Sequence, residues 1–152
     1  MKTLVLGLGN PILSDDSVGF RVIEQLKPRF DKPGLTFVES SASGLSLLEV
    51  IIGYDKLIIV DAIQTEGGQV GEVYRFTLDN FIDTRHLTSS HSINLATALE
   101  LGRKLGMALP QQTVIFAIEV ADVTNFSEKC TPEVEKAIPL VVSMVAEELE
   151  SG

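Results

Sequence analysis

Three aspartates and one histidine stand in this sequence where a functional site would be expected. Asp15 and Asp16 lie in a loop between an apolar, strand-like run and a helix-like segment. Asp61 ends a second apolar run, and His91 begins another helix-like segment. Because ligands of open α/β sheets bind outside the carboxyl ends of the strands, we expect Asp16, Asp61 and His91 to converge there.

Two carboxylates and one imidazole form a donor set that suits a divalent transition metal. Three protein donors leave positions on the ion open for a substrate, whose carbonyl group or bound water the ion can polarise. The sequence also allows simpler roles for the same residues. Asp15 or Asp16 can cap a helix. Asp61 can be a turn residue, and His91 can be a capping or solvated side chain.

The elements that must position these residues alternate between strand-like and helix-like patterns. The apolar runs predict strands over residues 2–7, 35–39, 56–62 and 113–120, with a further strand at or near a sheet edge over 72–76. The helical patterns predict helices over about 17–29, 45–52, 90 to a stop at Gly106 or Pro110, and about 132–150. Residues 77–88 have little pattern and are predicted to be a loop. This order predicts an α/β fold, a three-layer α/β/α single domain over residues 1–152 with a mostly parallel sheet of about five strands.

Composition narrows the class of protein. A chain of 152 residues with 45% hydrophobic residues is long enough for one buried core. Its formal net charge of -9 opposes binding to nucleic acid or to anionic lipid. One cysteine, Cys130, excludes an internal disulfide and a multi-cysteine zinc site. Without a secretory pattern or a membrane-length apolar run, we expect a cytoplasmic protein that binds neither nucleic acid nor membrane.

Several short motifs occur in a specific order along almost the whole chain. They are Gly7-Leu8-Gly9-Asn10 followed by Leu13, Asp15-Asp16 and Gly19, then Val60-Asp61-Ala62, Ser90-His91, Ala117-Ile118-Glu119 and Thr131-Pro132-Glu133-Val134. Together they resemble the hydrogenase maturation protease family, the endopeptidases that trim the large subunit of nickel-iron hydrogenases. Any one motif is weak, whereas their order and spacing are specific.

The resemblance implies a twisted sheet flanked by helices, with Asp16, Asp61 and His91 as both the metal ligands and the catalytic residues. It also implies an endopeptidase that recognises nickel already inserted in a large-subunit precursor and removes the C-terminal extension of that precursor. The nickel is then carried by the substrate, and the precursor is the partner. Asp15 and Glu119 are secondary candidates for a carboxylate that handles the proton; their alternative roles are loop support and hydrogen-bond acceptance.

The sequence departs from the family pattern in the segment 39–44, Glu-Ser-Ser-Ala-Ser-Gly, where many members have an Asp-Gly-Gly-Thr type of segment. That difference leaves the identity of the cognate hydrogenase open. His86 is interpreted as a solvated loop histidine, and Cys130 as a buried small apolar residue. No Gly-x-Ser-x-Gly elbow is present, so the sequence signals no nucleophile.

Three other functions compete with this interpretation. The opening Gly7 to Pro11 also resembles peptidyl-tRNA hydrolases, but those enzymes need an early histidine and a basic surface for RNA. A dinucleotide-binding module would use Gly7, Gly9 and Glu39, but its third glycine is replaced by Ile12. A nickel-binding maturation chaperone without catalytic activity remains the closest alternative, because ligands alone do not establish hydrolysis.

Overall fold

The apolar runs of the sequence form the central strands of one sheet. The computed structural model describes residues 1–42, 44–83, 87–88 and 90–151, and the side chains of these residues except 81–83, 87, 88, 90–94 and 96. The parallel strands are β1 (Thr3–Leu8), β2 (Leu35–Ser40), β3 (Lys56–Thr65) and β6 (Gln112–Glu119). An antiparallel strand, β4 (Val73–Thr77), completes the order β2-β1-β3-β6-β4 at the edge beside β6. The predicted mostly parallel sheet and the edge position of the strand near 72–76 are therefore confirmed.

Helices cover both faces of this sheet and give the predicted three layers. They are α1 (Val18–Leu26), α2 (Leu48–Ile51), α3 (Leu78–Asp83), α4 (Ser90–Lys104) and α5 (Pro132–Ser151). The buried side chains of α1 and α5 share one apolar cluster, and those of α2 and α4 share another. The central strands β1, β3 and β6 are thus buried on both faces, as their nearly continuous apolar sequences require, whereas β2 at the other edge is only partly buried.

The alternation of side chains along β3 determines which face Asp61 occupies. Ile58 and Val60 pack with α1 and α5, whereas Ile59 and Ile63 pack with α2 and α4. Because successive side chains of a strand point to opposite faces, Asp61 lies on the α2 and α4 face. This is the face covered by the helix that contains His91.

The end of β3 differs from its prediction. Asp61 was expected to close this strand, but β3 continues to Thr65. β6 continues to pair with it as far as Ile63, opposite Glu119, and a short antiparallel strand, β5 (Leu87–Thr88), pairs with Gln64 and Thr65. These long-range partners extend the strand. Asp61 nevertheless follows the last residue of β3 that pairs with β1, because Val60 is the partner of Gly7.

The segment 77–88 was predicted to be a loop, and this prediction was wrong because α3 and β5 lie within it. A local signal for α3 exists, since the hydroxyl of Thr77 accepts a hydrogen bond of 3.4 Å from the amide of Asn80, as an N-cap residue does. No comparable local signal marks β5, which depends on its pairing with β3. Within the described part of the chain, no helix is long and apolar enough to cross a membrane.

An ion-pair network fastens the end of α5 to the sheet. The carboxylate of Glu148 accepts a hydrogen bond of 2.8 Å from Lys56 Nζ, while Arg75 Nη2 lies 2.6 Å from its other oxygen. The Lys56 side chain is only 6% exposed. Burial raises the pKa of the Glu148 carboxyl, but hydrogen bonds and charge from Lys56 and Arg75 outweigh burial and hold that pKa below its ordinary value.

Removing the charge of Glu148 should therefore destabilise the fold. We expect Glu148→Gln to lower the free energy of unfolding at pH 7 by about 2 kcal/mol, between the values typical of exposed and buried ion pairs. Because its pKa is lowered in the folded state, the carboxylate stabilises the fold above its unfolded-state pKa of about 4.3, and this contribution disappears as the pH falls through the folded-state pKa. Urea unfolding at pH 7 and at a pH near 3 measures both effects.

The neighbouring exposed Glu147 supplies the control for this prediction. Glu147→Gln removes the same charge from the same helix and should change the free energy of unfolding by less than about 0.5 kcal/mol. Two results would contradict the assignment of this stabilisation to the ionised Glu148 carboxylate. One is an equal change in the free energy of unfolding for both substitutions at pH 7, and the other is a loss of stability in Glu148→Gln that persists at low pH.

Candidate active site

Asp16 lies in a tight turn that leaves the carboxyl end of β1 and includes a short 3-10 helix, Ser14–Ser17. The backbone closes on itself here, because the amide of Asn10 donates to the carbonyl of Asp16 and the amide of Asp16 donates to the carbonyl of Leu13. Gly9 has a φ of 148°, and a Cβ at this residue would lie 2.0 Å from the Asp16 carbonyl oxygen. Only glycine therefore fits, and it fixes the backbone of Asp16 against the end of the strand.

A second glycine brings this turn close to Asp61. A Cβ at Gly19, in the first turn of α1, would lie 2.6 Å from the carbonyl oxygens of both Leu8 and Val60. The start of α1 therefore rests directly on the last residue of β1 and on the residue that precedes Asp61. The structure thus places Asp16 and Asp61 at the same end of the sheet, as their positions in the sequence predicted.

The two aspartates differ in exposure. Asp61 is fully buried, and its Oδ1 atom accepts a hydrogen bond of 2.9 Å from the amide of Ala62. Asp16 is half-buried and can be reached from solvent. Both residues make further interactions within the protein. The Asp61 carboxylate is therefore buried within the sheet, and Asp16 lies at the carboxyl end of the sheet where solvent can reach it.

His91 belongs to the first turn of α4, as predicted, since this helix begins at Ser90. Thr88, two residues before the helix, pairs with Gln64, three residues beyond Asp61 on β3. The helix therefore begins near the carboxyl end of β3. The side chain of His91 lies outside the described residues, as do His86 and Ser43, so the convergence of His91 with both aspartates stays a prediction. Among the side chains that are described, no three histidine, cysteine, aspartate or glutamate groups form a metal-binding cluster.

Asp15 supports the loop instead of capping a helix. The N-cap positions of the 3-10 helix and of α1 are Leu13 and Ser17, so neither aspartate occupies them. The carboxylate of Asp15 is fully buried and accepts four hydrogen bonds, from the amides of Ala121, Asp122 and Thr131 and from the Thr131 hydroxyl. Thr131 was predicted as the N-cap of α5; it precedes that helix, but its hydroxyl proton is donated to Asp15.

Glu119 is also a hydrogen-bond acceptor within the structure. Its carboxylate accepts from the amide of Thr65 at 2.8 Å, from the Thr65 hydroxyl, and from the Tyr74 phenol at 3.2 Å. The same phenol lies 2.9 Å from a carboxylate oxygen of Glu72. Burial raises the pKa of Tyr74 most, Thr65 lowers it, and the hydrogen bond to Glu72 and the negative charges of Glu119 and Glu72 raise it further. The resulting pKa is about 12, so the phenol remains a donor. Glu119 thus holds the end of β3 to β4.

Cys130 is not placed to act as a nucleophile. Its side chain is buried beside Ser17, with 3.6 Å between the Cys130 sulfur and the Ser17 hydroxyl oxygen. Burial raises the pKa of the thiol, which disfavours the reactive thiolate. The interpretation of Cys130 as a buried, unreactive residue agrees with this environment.

Comparisons with known proteins identify the relatives of this chain. Residues 20–148 match the family model described as hydrogenase maturation protease. The chain is 30% identical over 156 aligned positions to the Hydrogenase 2 maturation protease of Escherichia coli K12, an alignment that covers 100% of this chain and 93% of the relative. It is 25% identical to the hydrogenase expression/formation protein HupD of Bradyrhizobium diazoefficiens, over 97% of this chain and 78% of that protein.

Solved structures agree with these relatives. The hydrogenase maturating endopeptidase HybD from E. coli superposes with a TM-score of 0.84 and 28% identity, over 100% of this chain and 94% of that chain. The [NiFe] hydrogenase maturation protease HybD from Thermococcus kodakarensis has a TM-score of 0.77 at 22% identity, over 98% and 99% of the two chains. The second likeness supports the fold alone, and the two together confirm the predicted α/β architecture.

The contacts of Glu119 predict a role in stability. We expect Glu119→Gln to lower the free energy of unfolding by about 1–3 kcal/mol, because a glutamine amide would face the Thr65 donors in place of one carboxylate oxygen. It should also lower the pKa of Tyr74 from about 12, by removing one of the charges that raise this pKa. Since the chain has two tyrosines, an absorbance titration in a Tyr54→Phe background observes Tyr74 alone.

Glu72→Gln is the matched control, because Glu72 is exposed and contacts the same phenol without holding Thr65. This variant should lower the pKa of Tyr74 while leaving the free energy of unfolding nearly unchanged. Unchanged stability in Glu119→Gln would show that its hydrogen bonds do not hold β3 to β4.

Proposed function

We propose that this chain, which belongs to the hydrogenase maturation protease family, removes the C-terminal extension of a nickel-iron hydrogenase large-subunit precursor. Removal takes place after nickel has been inserted into the precursor. Its relatives are maturation endopeptidases, so the shared chemistry is hydrolysis of a peptide bond. The observation that supports the proposal is the contact of Gly19, which follows the Asp16 turn, with Val60 of β3. This contact puts Asp16 and Asp61 at one end of the sheet. The net charge of -9 also favours a cationic centre over nucleic acid as the feature recognised.

In this proposal the nickel ion arrives as part of the substrate and binds Asp16, Asp61 and His91. Carboxylate and imidazole donors suit a divalent first-row metal, although they do not select nickel from its neighbours. The buried carboxylate of Asp61, oriented by the Ala62 amide, would provide a fixed negative charge in a region of low dielectric constant. Asp16, which solvent can reach, would meet the incoming precursor.

Hydrolysis adds one water molecule across the scissile peptide bond. The water oxygen bonds to the carbonyl carbon, the C–N bond breaks, and the released amine takes up a proton. The bound ion would polarise the scissile carbonyl, as metal ions do in other hydrolases. Asp15 and Glu119 are both occupied as acceptors of hydrogen bonds within the protein, so we assign neither of them to proton transfer.

The test is to incubate the protein with a nickel-loaded large-subunit precursor and to measure the mass of the precursor over time. We expect loss of the C-terminal extension from the nickel-loaded form and no loss from the nickel-free form. Asp16→Asn, Asp61→Asn and His91→Ala should each reduce the rate about 100-fold or more, as expected when a ligand is removed from a metal site.

Two substitutions serve as controls in that assay. Asp31→Asn removes an exposed carboxylate from the turn before β2, and His86→Ala removes the second histidine of the chain. Both variants should process the precursor at the wild-type rate. Binding of the nickel-loaded precursor without any mass loss would overturn the protease proposal in favour of a nickel-binding chaperone. Wild-type rates in all three site variants would show that the site lies elsewhere.

A further inference from the structure

We propose that Asp15 is a positioning residue, which locks the segment 121–131 onto the turn of Asp16 and thereby fixes Asp16 for the nickel of the substrate. This inference rests on the proposed function of Asp16. Asp15 itself contacts neither substrate nor metal in this proposal. Its carboxylate acts entirely through the backbone that it holds.

The hydrogen bonds of Asp15 come from two places that are distant from it in sequence. Oδ2 accepts from the amides of Ala121 and Asp122, both at 3.0 Å, just beyond β6. Oδ1 accepts from the amide of Thr131 at 2.6 Å, and Oδ2 also accepts from the Thr131 hydroxyl at 2.9 Å, just before α5. The amide of Asp15 in turn donates to the carbonyl of Asp122 at 2.9 Å. One side chain therefore joins both ends of the segment 121–131 to the turn.

The turn that Asp15 holds is strained. Ser14 has a φ of 28°, and among the described residues it is the only non-glycine residue with a positive φ. Such a conformation costs about 1–3 kcal/mol and persists only where the surroundings enforce it. Here the Ser14 hydroxyl donates to the carbonyl of Lys129 at 3.3 Å, and the Ser17 hydroxyl donates to the Ser14 carbonyl at 2.6 Å. Lys129 and Thr131 thus brace the turn at Ser14 and Asp15, and the bond between Ser17 and Ser14 closes the turn around Asp16.

The outer side of the turn is joined to the same segment. Leu13 forms an isolated β-bridge with Phe126, and the amide of Ser127 donates to the carbonyl of Ile12 at 2.9 Å. Residues 12–16 and 121–131 therefore form one connected wall beside the end of β1. The amide and carbonyl of Asp16 are hydrogen-bonded within the same turn, so we expect a change in the buried Asp15 carboxylate to alter the backbone position of Asp16.

A residue with only a structural role would behave differently from a positioning residue. Loss of a purely structural contact lowers the fraction of folded protein, but it leaves the nickel affinity and the rate of each folded molecule unchanged. Loss of a positioning contact changes both properties in molecules that remain folded. The test must therefore measure metal affinity and rate per folded molecule.

The experiment compares Asp15→Asn with wild type and with the exposed-site control Asp31→Asn. The asparagine keeps the size of the side chain but presents an amide to donors that had faced a carboxylate oxygen. Titration calorimetry with Ni²⁺ alone is done at a temperature at which all variants are folded. The nickel affinity of Asp15→Asn should be about 10- to 100-fold lower than that of wild type, as for other residues that orient metal ligands. The rate of precursor processing per folded molecule should fall by a similar factor, with Asp31→Asn unchanged.

Hydrogen exchange supplies a readout that does not depend on activity. The amides of Ala121, Asp122 and Thr131 donate to Asp15, so their exchange should accelerate selectively in Asp15→Asn. Thr131→Val, which removes only the hydroxyl donor, should give a smaller change of the same kind and provides the test if Asp15→Asn does not fold. Wild-type nickel affinity and rate in the folded variants would overturn the inference. Failure of wild-type protein to cleave the precursor would instead overturn the proposed function, and the nickel titration would still test the role of Asp15.

Discussion

The structure depends on a close contact between backbones at the start of α1. The carbonyl oxygens of Leu8 and Val60 lie where a side chain on residue 19 would begin, so α1 can rest on β1 and β3 only because Gly19 has none. Packing α1 at this distance buries Val22 and Ile23 against the sheet. The same contact keeps the preceding turn, with Asp15 and Asp16, above the end of β1. Core packing and the geometry of the candidate site therefore both require that residue 19 has no side chain.

Two fully buried carboxylates lie near this contact, and their surroundings differ. A buried carboxylate is costly unless donors compensate for the lost water. Asp15 has four donors drawn from backbone amides and a hydroxyl, which fits a structural role. Asp61 lies on the α4 face of β3, towards the helix of His91. Asp61 accepts from the Ala62 amide and makes a further interaction within the protein, and in the proposed function it would also hold the nickel of the substrate.

Much of this arrangement could be predicted from the sequence, because the signals are local. The apolar runs before Gly7 and Asp61 gave the central strands, and the paired glycines gave the turn that holds Asp16. Contacts between distant residues left no such signal. The extension of β3 to Thr65 depends on pairing with β5 and β6, and the donors of Asp15 lie 106 to 116 residues away. The sequence could suggest that Asp15 supports a loop, but it could not identify that loop.

The geometry of the 3-10 helix explains why the turn contains two adjacent aspartates. With about three residues per turn, neighbouring side chains of such a helix point about 120° apart. Adjacent residues of such a helix therefore face different surroundings. Asp15 points into the protein and reaches the segment 121–131, so Asp16 must face another direction, and its half-buried side chain agrees with a position at the crevice. The Asp15 carboxylate is hydrogen-bonded to the segment beside the strained turn, and in the proposed function this turn presents the Asp16 carboxylate to the nickel of the substrate.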